Sequence, residues 1–114
     1  MPLTHLRTIP ILRSFDEAKA REFYVDWLGF AVDWEHRFEP TAPLYMQVSR
    51  AGIVLHVSEH HGDGSPGAHV RVEITGVRAY HAELIGKAYK NNRPGLERPE
   101  WGGTEFTVID PANN

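Results

Sequence analysis

Seven histidines and twelve aromatic residues (three Trp, four Tyr and five Phe) are the chemically able side chains of this 114-residue chain, which has no cysteine. Disulfides, thiolate metal sites and a Cys nucleophile are therefore excluded. Trp34, His36 and Phe38 are spaced by two, which puts all three on one side of an extended segment and its exit loop. Trp101 is followed by Gly102 and Gly103, and glycine lets a backbone approach a ligand closely. Rings of this kind stack on planar ligands, and their π faces attract a cation. Acids such as Glu35, Glu39 and Glu59 at the rim would steer such a cation. His69 shares one face of an alternating segment with Arg71 and Glu73. His60 and His61 fall in a Gly-rich loop, where exposure to solvent is the expected state. Glu22 or Asp26 with a histidine would write an acid–base pair, but both belong to the solvated face of a helix. No nucleophile elbow, Walker loop, dinucleotide fingerprint or His-Glu-x-x-His motif occurs.

The elements that must position these groups follow from periodicity. Leu6–Leu12 reads as a strand with Pro10 inside it, and a proline suits an edge or an exchanged strand because it donates no ladder hydrogen bond. Ser14 or Asp16 can cap the next helix, with Glu17 three residues after Ser14. Ala20, Phe23, Tyr24, Trp27 and Leu28 form one apolar helical stripe, which makes Trp27 a core residue, and Gly29 ends it. Phe30–Trp34 reads as a strand, on which Trp34 can face either a cleft or the core. Leu44–Val48 and Ile53–Val57 form a hairpin around Ser49–Gly52. The order then begins again. His69–Ile74 alternates like a strand, and Gly76 precedes a helix carrying Val77, Tyr80, Leu84, Ile85, Ala88 and Tyr89. A short extended piece near Leu96, a strand Thr104–Ile109 and a turn Asp110–Asn113 complete it. This is an internal repeat of order: module one spans about residues 1–60 and module two about 68–114 of a single domain. A turn needs a strand to turn into, so a last strand is expected after Asn114 and the second module reads as truncated there.

The segments Ile9-Pro10-Ile11-Leu12, Asp16-Glu17, Glu22-Phe23-Tyr24 and Leu28-Gly29-Phe30, with Trp101-Gly102-Gly103-Thr104-Glu105-Phe106 and Asp110-Pro111, resemble the vicinal oxygen chelate superfamily of glyoxalases, extradiol dioxygenases and bleomycin resistance proteins. The two ends look like the bleomycin resistance branch. The resemblance implies an α+β fold of two βαβββ modules forming a curled antiparallel sheet. It also implies a homodimer with strand exchange at Pro10 and ligand clefts between subunits, with Trp101 lining the cleft. Metal-dependent members take ligands at positions that fall here on Ile9, His56 and His69, with a last Glu beyond Asn114. Ile9 has no donor atom, so two imidazoles remain, whereas catalytic sites typically use three protein ligands.

Composition bounds the rest. Apolar residues make up 41% and charged residues 24%, a globular balance. The net charge of -3, from 15 acids against 12 bases, does not suit a nucleic-acid binder. No apolar run has the ~18 residues of a membrane span, no signal peptide is visible, and the absence of cysteine fits the cytoplasm. The sequence therefore points to a bleomycin-resistance-like protein that sequesters a small planar, cationic drug or metabolite in a dimer-interface cleft. Trp101, Gly102, Trp34, His36, Phe38, His56 and His69 would bind it, with no cofactor and no catalysis. The alternative is a lyase, isomerase or dioxygenase holding a divalent metal on His56 and His69.

Overall fold

The computed structural model describes residues 2–114. Residues 2–10 run as an extended arm into β1 (Ile11–Arg13), with Leu3 and Leu6 almost wholly exposed. Asp16 is the residue that caps α1 (Glu17–Arg21), its carboxylate accepting the Lys19 amide at 3.0 Å. The helix continues as a π-helical turn over Glu22–Trp27, where the Leu28 amide reaches back five residues to the Phe23 carbonyl at 2.9 Å. Ala20, Phe23, Tyr24, Trp27 and Leu28 are all buried, as their spacing predicts.

Three strands follow, β2 (Ala31–His36), β3 (Tyr45–Arg50) and β4 (Ile53–Ser58). The sheet order is β1-β4-β3-β2. The expected antiparallel pairing holds for β2, β3 and β4, while β1 runs parallel to β4 and makes the curled, open sheet mixed. Alternation then splits each strand between two faces. Leu12, Met46, Val48, Leu55 and Val57 pack under the first helix with Phe30 and Leu44.

The repeat is only partly realised in the second half. Gly76 opens α2 (Val77–Gly86) in the left-handed conformation at φ 79°. Leu84 is the only α2 side chain that enters the buried core, and the Trp27 indole N–H donates to its carbonyl at 3.0 Å. The strands expected at 69–74 and 104–109 are corrected: neither stretch joins a sheet ladder among the described residues. One isolated antiparallel bridge joins Glu97 to Glu105, at 2.7 and 2.9 Å. The Asn92 amide then imitates a neighbouring strand by bonding both the N–H and the C=O of Ile109, at 3.0 and 2.8 Å. Residues 105 and 109 thus point their backbone groups to one edge. Thr104, Phe106 and Val108 point theirs to the other edge, where no hydrogen bond forms among the described residues. Alternation is a local signal, whereas a ladder needs a partner brought from elsewhere, and that is why the sequence pattern overstates this half.

No helix among the described residues is long and apolar enough to cross a membrane.

Candidate binding site

The face of the sheet turned away from the helices carries the chemically able residues. Its cross-strand rows are set by register: Ile11, His56, Gln47 and Trp34 form one row, and Arg13, Ser58, Tyr45 and His36 the next. The register slips between Val32 and Trp34, which marks a β-bulge. The bulge turns Asp33 to the same face as Trp34, where its carboxylate accepts from Gln47 Nε2 and Ser49 Oγ, each at 2.9 Å.

Trp34 therefore faces the open side and not the core, with 44% of its surface exposed. Its ring lies within 6° of parallel to Tyr45, centroids 5.9 Å apart. His56 stands edge-on to both, at 5.2 Å from Trp34 and 5.1 Å from Tyr45. His36 and Phe38 meet edge to face at 4.7 Å, and Phe38 continues to His60 at 5.8 Å. Trp34, His36, Phe38 and His56 are thus assembled as one aromatic shelf, and His60, expected to be a bystander, closes one end of it. Arg13 holds that loop by donating to the His60 carbonyl, and Ser58 Oγ donates to Asp63 at 2.9 Å.

Both nitrogens of His56 are engaged: Nδ1 lies 2.6 Å from the Tyr45 hydroxyl, and Nε2 lies 2.9 Å from Gln47 Oε1. Burial, with a smaller contribution from the Arg7 charge, lowers the His56 pKa and favours the neutral ring. Burial likewise raises the Tyr45 pKa, aided by the charge of Asp63, so the phenol keeps its proton.

Among the described residues, no ring contact or hydrogen bond joins Trp101, Gly102 or His69 to this shelf. Trp101 is 75% exposed, and the Arg71 guanidinium stands 5.4 Å from its ring while pairing with Glu105 at 3.0 Å. Gly102 has φ 97° and open space where a side chain would be. His69 is exposed on the extended segment beside Arg71. The second half thus carries its own small aromatic and charged face.

No group of three or more His, Cys, Asp or Glu able to hold an ion occurs among the described residues. Ile9 lies just before β1, and Ile11 is the direct cross-strand neighbour of His56; neither has a donor atom. Pro10, assigned to strand exchange, accepts the His56 amide through its carbonyl at 3.0 Å, so the arm leaves the sheet at this residue. Two of the expected rim acids are engaged elsewhere. Glu35 turns to the helix side and pairs with Arg21 at 2.9 Å, and Glu59 accepts the Leu44 amide at 3.3 Å.

Sequence reasoning missed Asp33, Tyr45, Gln47 and Arg71. The last three were findable, since Tyr45 and Gln47 alternate with the apolar Leu44, Met46 and Val48, and Arg71 is two residues from His69. Asp33 was not, because only the bulge brings it to this face.

Residues 2–114 match the family model described as "Glyoxalase superfamily protein". No curated protein sequence matches the chain. Among solved structures, the chain is similar to a bleomycin-binding protein from bleomycin-producing Streptomyces verticillus, in complex with copper(II)-bleomycin. That match has 27% identity and a TM-score of 0.68, covering 99% of this chain and 93% of that one. It is also similar to the bleomycin resistance determinant encoded on transposon Tn5, at 21% identity and a TM-score of 0.70, over 96% and 92% of the two chains. TnmS3, an antibiotic-binding protein from Streptomyces sp. CB03234, aligns at 21% identity and a TM-score of 0.69, over 100% and 93%.

Proposed function

We propose, for a chain that belongs to the glyoxalase superfamily, a bleomycin-resistance-like role: it sequesters a small planar, cationic drug or metabolite and makes or breaks no bond. The observation that carries this reading is the aromatic shelf of Trp34, Tyr45 and His56, whose imidazole is fully engaged in hydrogen bonds. A planar ring system laid on Trp34 gains stacking area, and a positive tail gains the attraction of the π faces. The 27% identity to a bleomycin-binding protein supports the same ligand class.

A homodimer completes the site in this proposal. The shelf and the Trp101 face are separate within one chain, and an aromatic ligand is best held from two sides. The extended arm up to Pro10, with Leu3 and Leu6 exposed, is the element that crosses to the second copy. The protein acts in the cytoplasm, without a metal ion.

Calorimetric titration of bleomycin into purified protein tests the reading. Saturable binding is expected, unchanged by prior treatment with a chelator. Trp34→Ala should weaken it by about tenfold, the equivalent of ~1.4 kcal/mol and within the worth of an aromatic contact. A solution mass of twice the 12.9 kDa chain should accompany it. Absence of binding, together with metal-dependent turnover of a small metabolite, would overturn the proposal in favour of a metal-dependent lyase, isomerase or dioxygenase.

A further inference from the structure

We propose that Asp33, acting through Gln47 and His56, fixes the Tyr45 hydroxyl oxygen as a hydrogen-bond acceptor on the shelf, so that the site selects planar ligands whose cationic group carries N–H donors. The inference deepens the binding reading above and rests on it for its ligand half.

The argument starts at the one group whose role is not adjustable. An ionised carboxylate only accepts hydrogen bonds. The hydrogen bonds from Gln47, and then from Ser49, hold the Asp33 carboxyl below its usual range, so it is ionised at neutral pH. The Gln47 amide must therefore turn its NH₂ to Asp33, as it does at 2.9 Å. That leaves the amide oxygen facing His56 Nε2 at 2.9 Å. An amide oxygen cannot donate, so Nε2 carries the imidazole proton. In a neutral ring Nδ1 then holds a lone pair. Tyr45 Oη lies 2.6 Å from it and donates its only proton there.

The consequence reaches the ligand side. With its proton committed to His56, Tyr45 Oη offers only lone pairs to a ligand on the shelf. Asp33 is an acceptor as well. A primary ammonium or an amidinium can donate to Tyr45, whereas a quaternary ammonium of the same charge cannot. The near-parallel Trp34 and Tyr45 rings, 5.9 Å apart, let a fused planar ring rest on Trp34 while its tail reaches the phenol oxygen. The charged groups around the series include Arg7 of the arm, Arg13 of β1 in the same cross-strand row as Tyr45, Asp33 of β2 and Asp63 of the loop after β4, whose His60 ring stands 6.4 Å from Tyr45.

Two measurements test this. Long-range ¹H–¹⁵N NMR on the free protein at neutral pH reads the His56 tautomer directly. Protonation at Nε2 alone is expected. Asp33→Asn should release the bias, because an asparagine amide can donate to the Gln47 oxygen and let that side chain reverse. A Nδ1–H form or a mixture in the parent protein would overturn the inference. Binding is then measured for an acridine with a primary ammonium tail and the same acridine with a trimethylammonium tail. The ammonium form should bind about tenfold tighter, as one charge-assisted hydrogen bond allows, and Tyr45→Phe should equalise the two. Equal affinities in the parent protein overturn the selectivity. If His56 is Nε2-protonated but neither acridine binds, the binding reading falls and the ligand half of this inference falls with it.

Discussion

Tyr24 and Asp110 show how single side chains join distant parts of this chain. Tyr24 sits in the helical stripe, 3% exposed, and its hydroxyl donates to the Asp110 carboxylate at 2.5 Å. The same carboxylate accepts the backbone amides of Ala112 and Asn114, at 2.8 and 2.9 Å, and the Asn114 side chain at 2.9 Å. Asn114 in turn donates to the Arg13 carbonyl and accepts the Ala68 amide, at 2.8 and 3.2 Å. A hydrogen bond to a buried charged group is worth about 1.5–3 kcal/mol. Tyr24→Phe should therefore lower unfolding stability by roughly that amount in urea titration, and Asp110→Ala should cost more because it removes the acceptor of four donors. An unchanged midpoint for both would mean that this junction does not couple the halves. Residue-scale legibility was uneven. Trp27 was read correctly as core because a helical stripe declares its own face. Trp34 stayed open between cleft and core because a strand has two faces and only register against β3 selects one.

The first helix and α2 are joined by groups that satisfy the helix end. Lys87 Nζ donates to the Asp26 and Trp27 carbonyls at 3.0 and 2.7 Å, and Tyr80 and Arg50 both donate to the Leu28 carbonyl at 2.7 Å. These cations sit where the helix dipole and its unpaired carbonyls favour them. Arg50 also grips Glu83 through two nitrogens, at 2.7 and 2.8 Å, and lies over the Tyr80 ring at 4.7 Å. Gly29 makes this possible. Its φ is 79°, and a Cβ there would lie 2.5 Å from Arg50 Nη1. Gly29→Ala should thus destabilise by more than ~1 kcal/mol, through left-handed strain and displacement of the arginine. Adding Arg50→Ala should recover no more than the steric part, and thermal unfolding of the single and double variants separates the two. The sequence announced Gly29 as a helix stop. It held no sign of the π-helical turn before it, since an apolar stripe is compatible with either winding.

The molecule as a whole is asymmetric in how well it is built. The buried core lies between the first helix and β1–β4; among the described residues the second half places Leu84 fully in it, with Ala68, Tyr80, Tyr89, Phe106 and Val108 packed half-buried against it. The radius of gyration is 15.3 Å, against ~13 Å for a compact chain of this size. Residues 69–73 are exposed on both faces, including Val70 and Val72. Hydrogen exchange should show this directly. The amides of β3 and β4 should be protected together, while Val70–Thr75, Phe106 and Val108 exchange near the rate of an unfolded chain in any sample held monomeric by dilution. Protection of those amides in such a sample would contradict the unpaired edges. The helix of each half and the three strands β2–β4 were legible because each is a local pattern. The incomplete pairing was not, because register and partner are properties of the folded assembly.

The three tryptophans occupy three unlike surroundings: Trp27 is sealed in the core, Trp34 is half exposed beside an imidazole, and Trp101 is open to water near a guanidinium. Indole emission shifts with polarity, so the protein carries its own optical gauge. One component reports on the integrity of the interior, and the other two answer separately to whatever settles on either face.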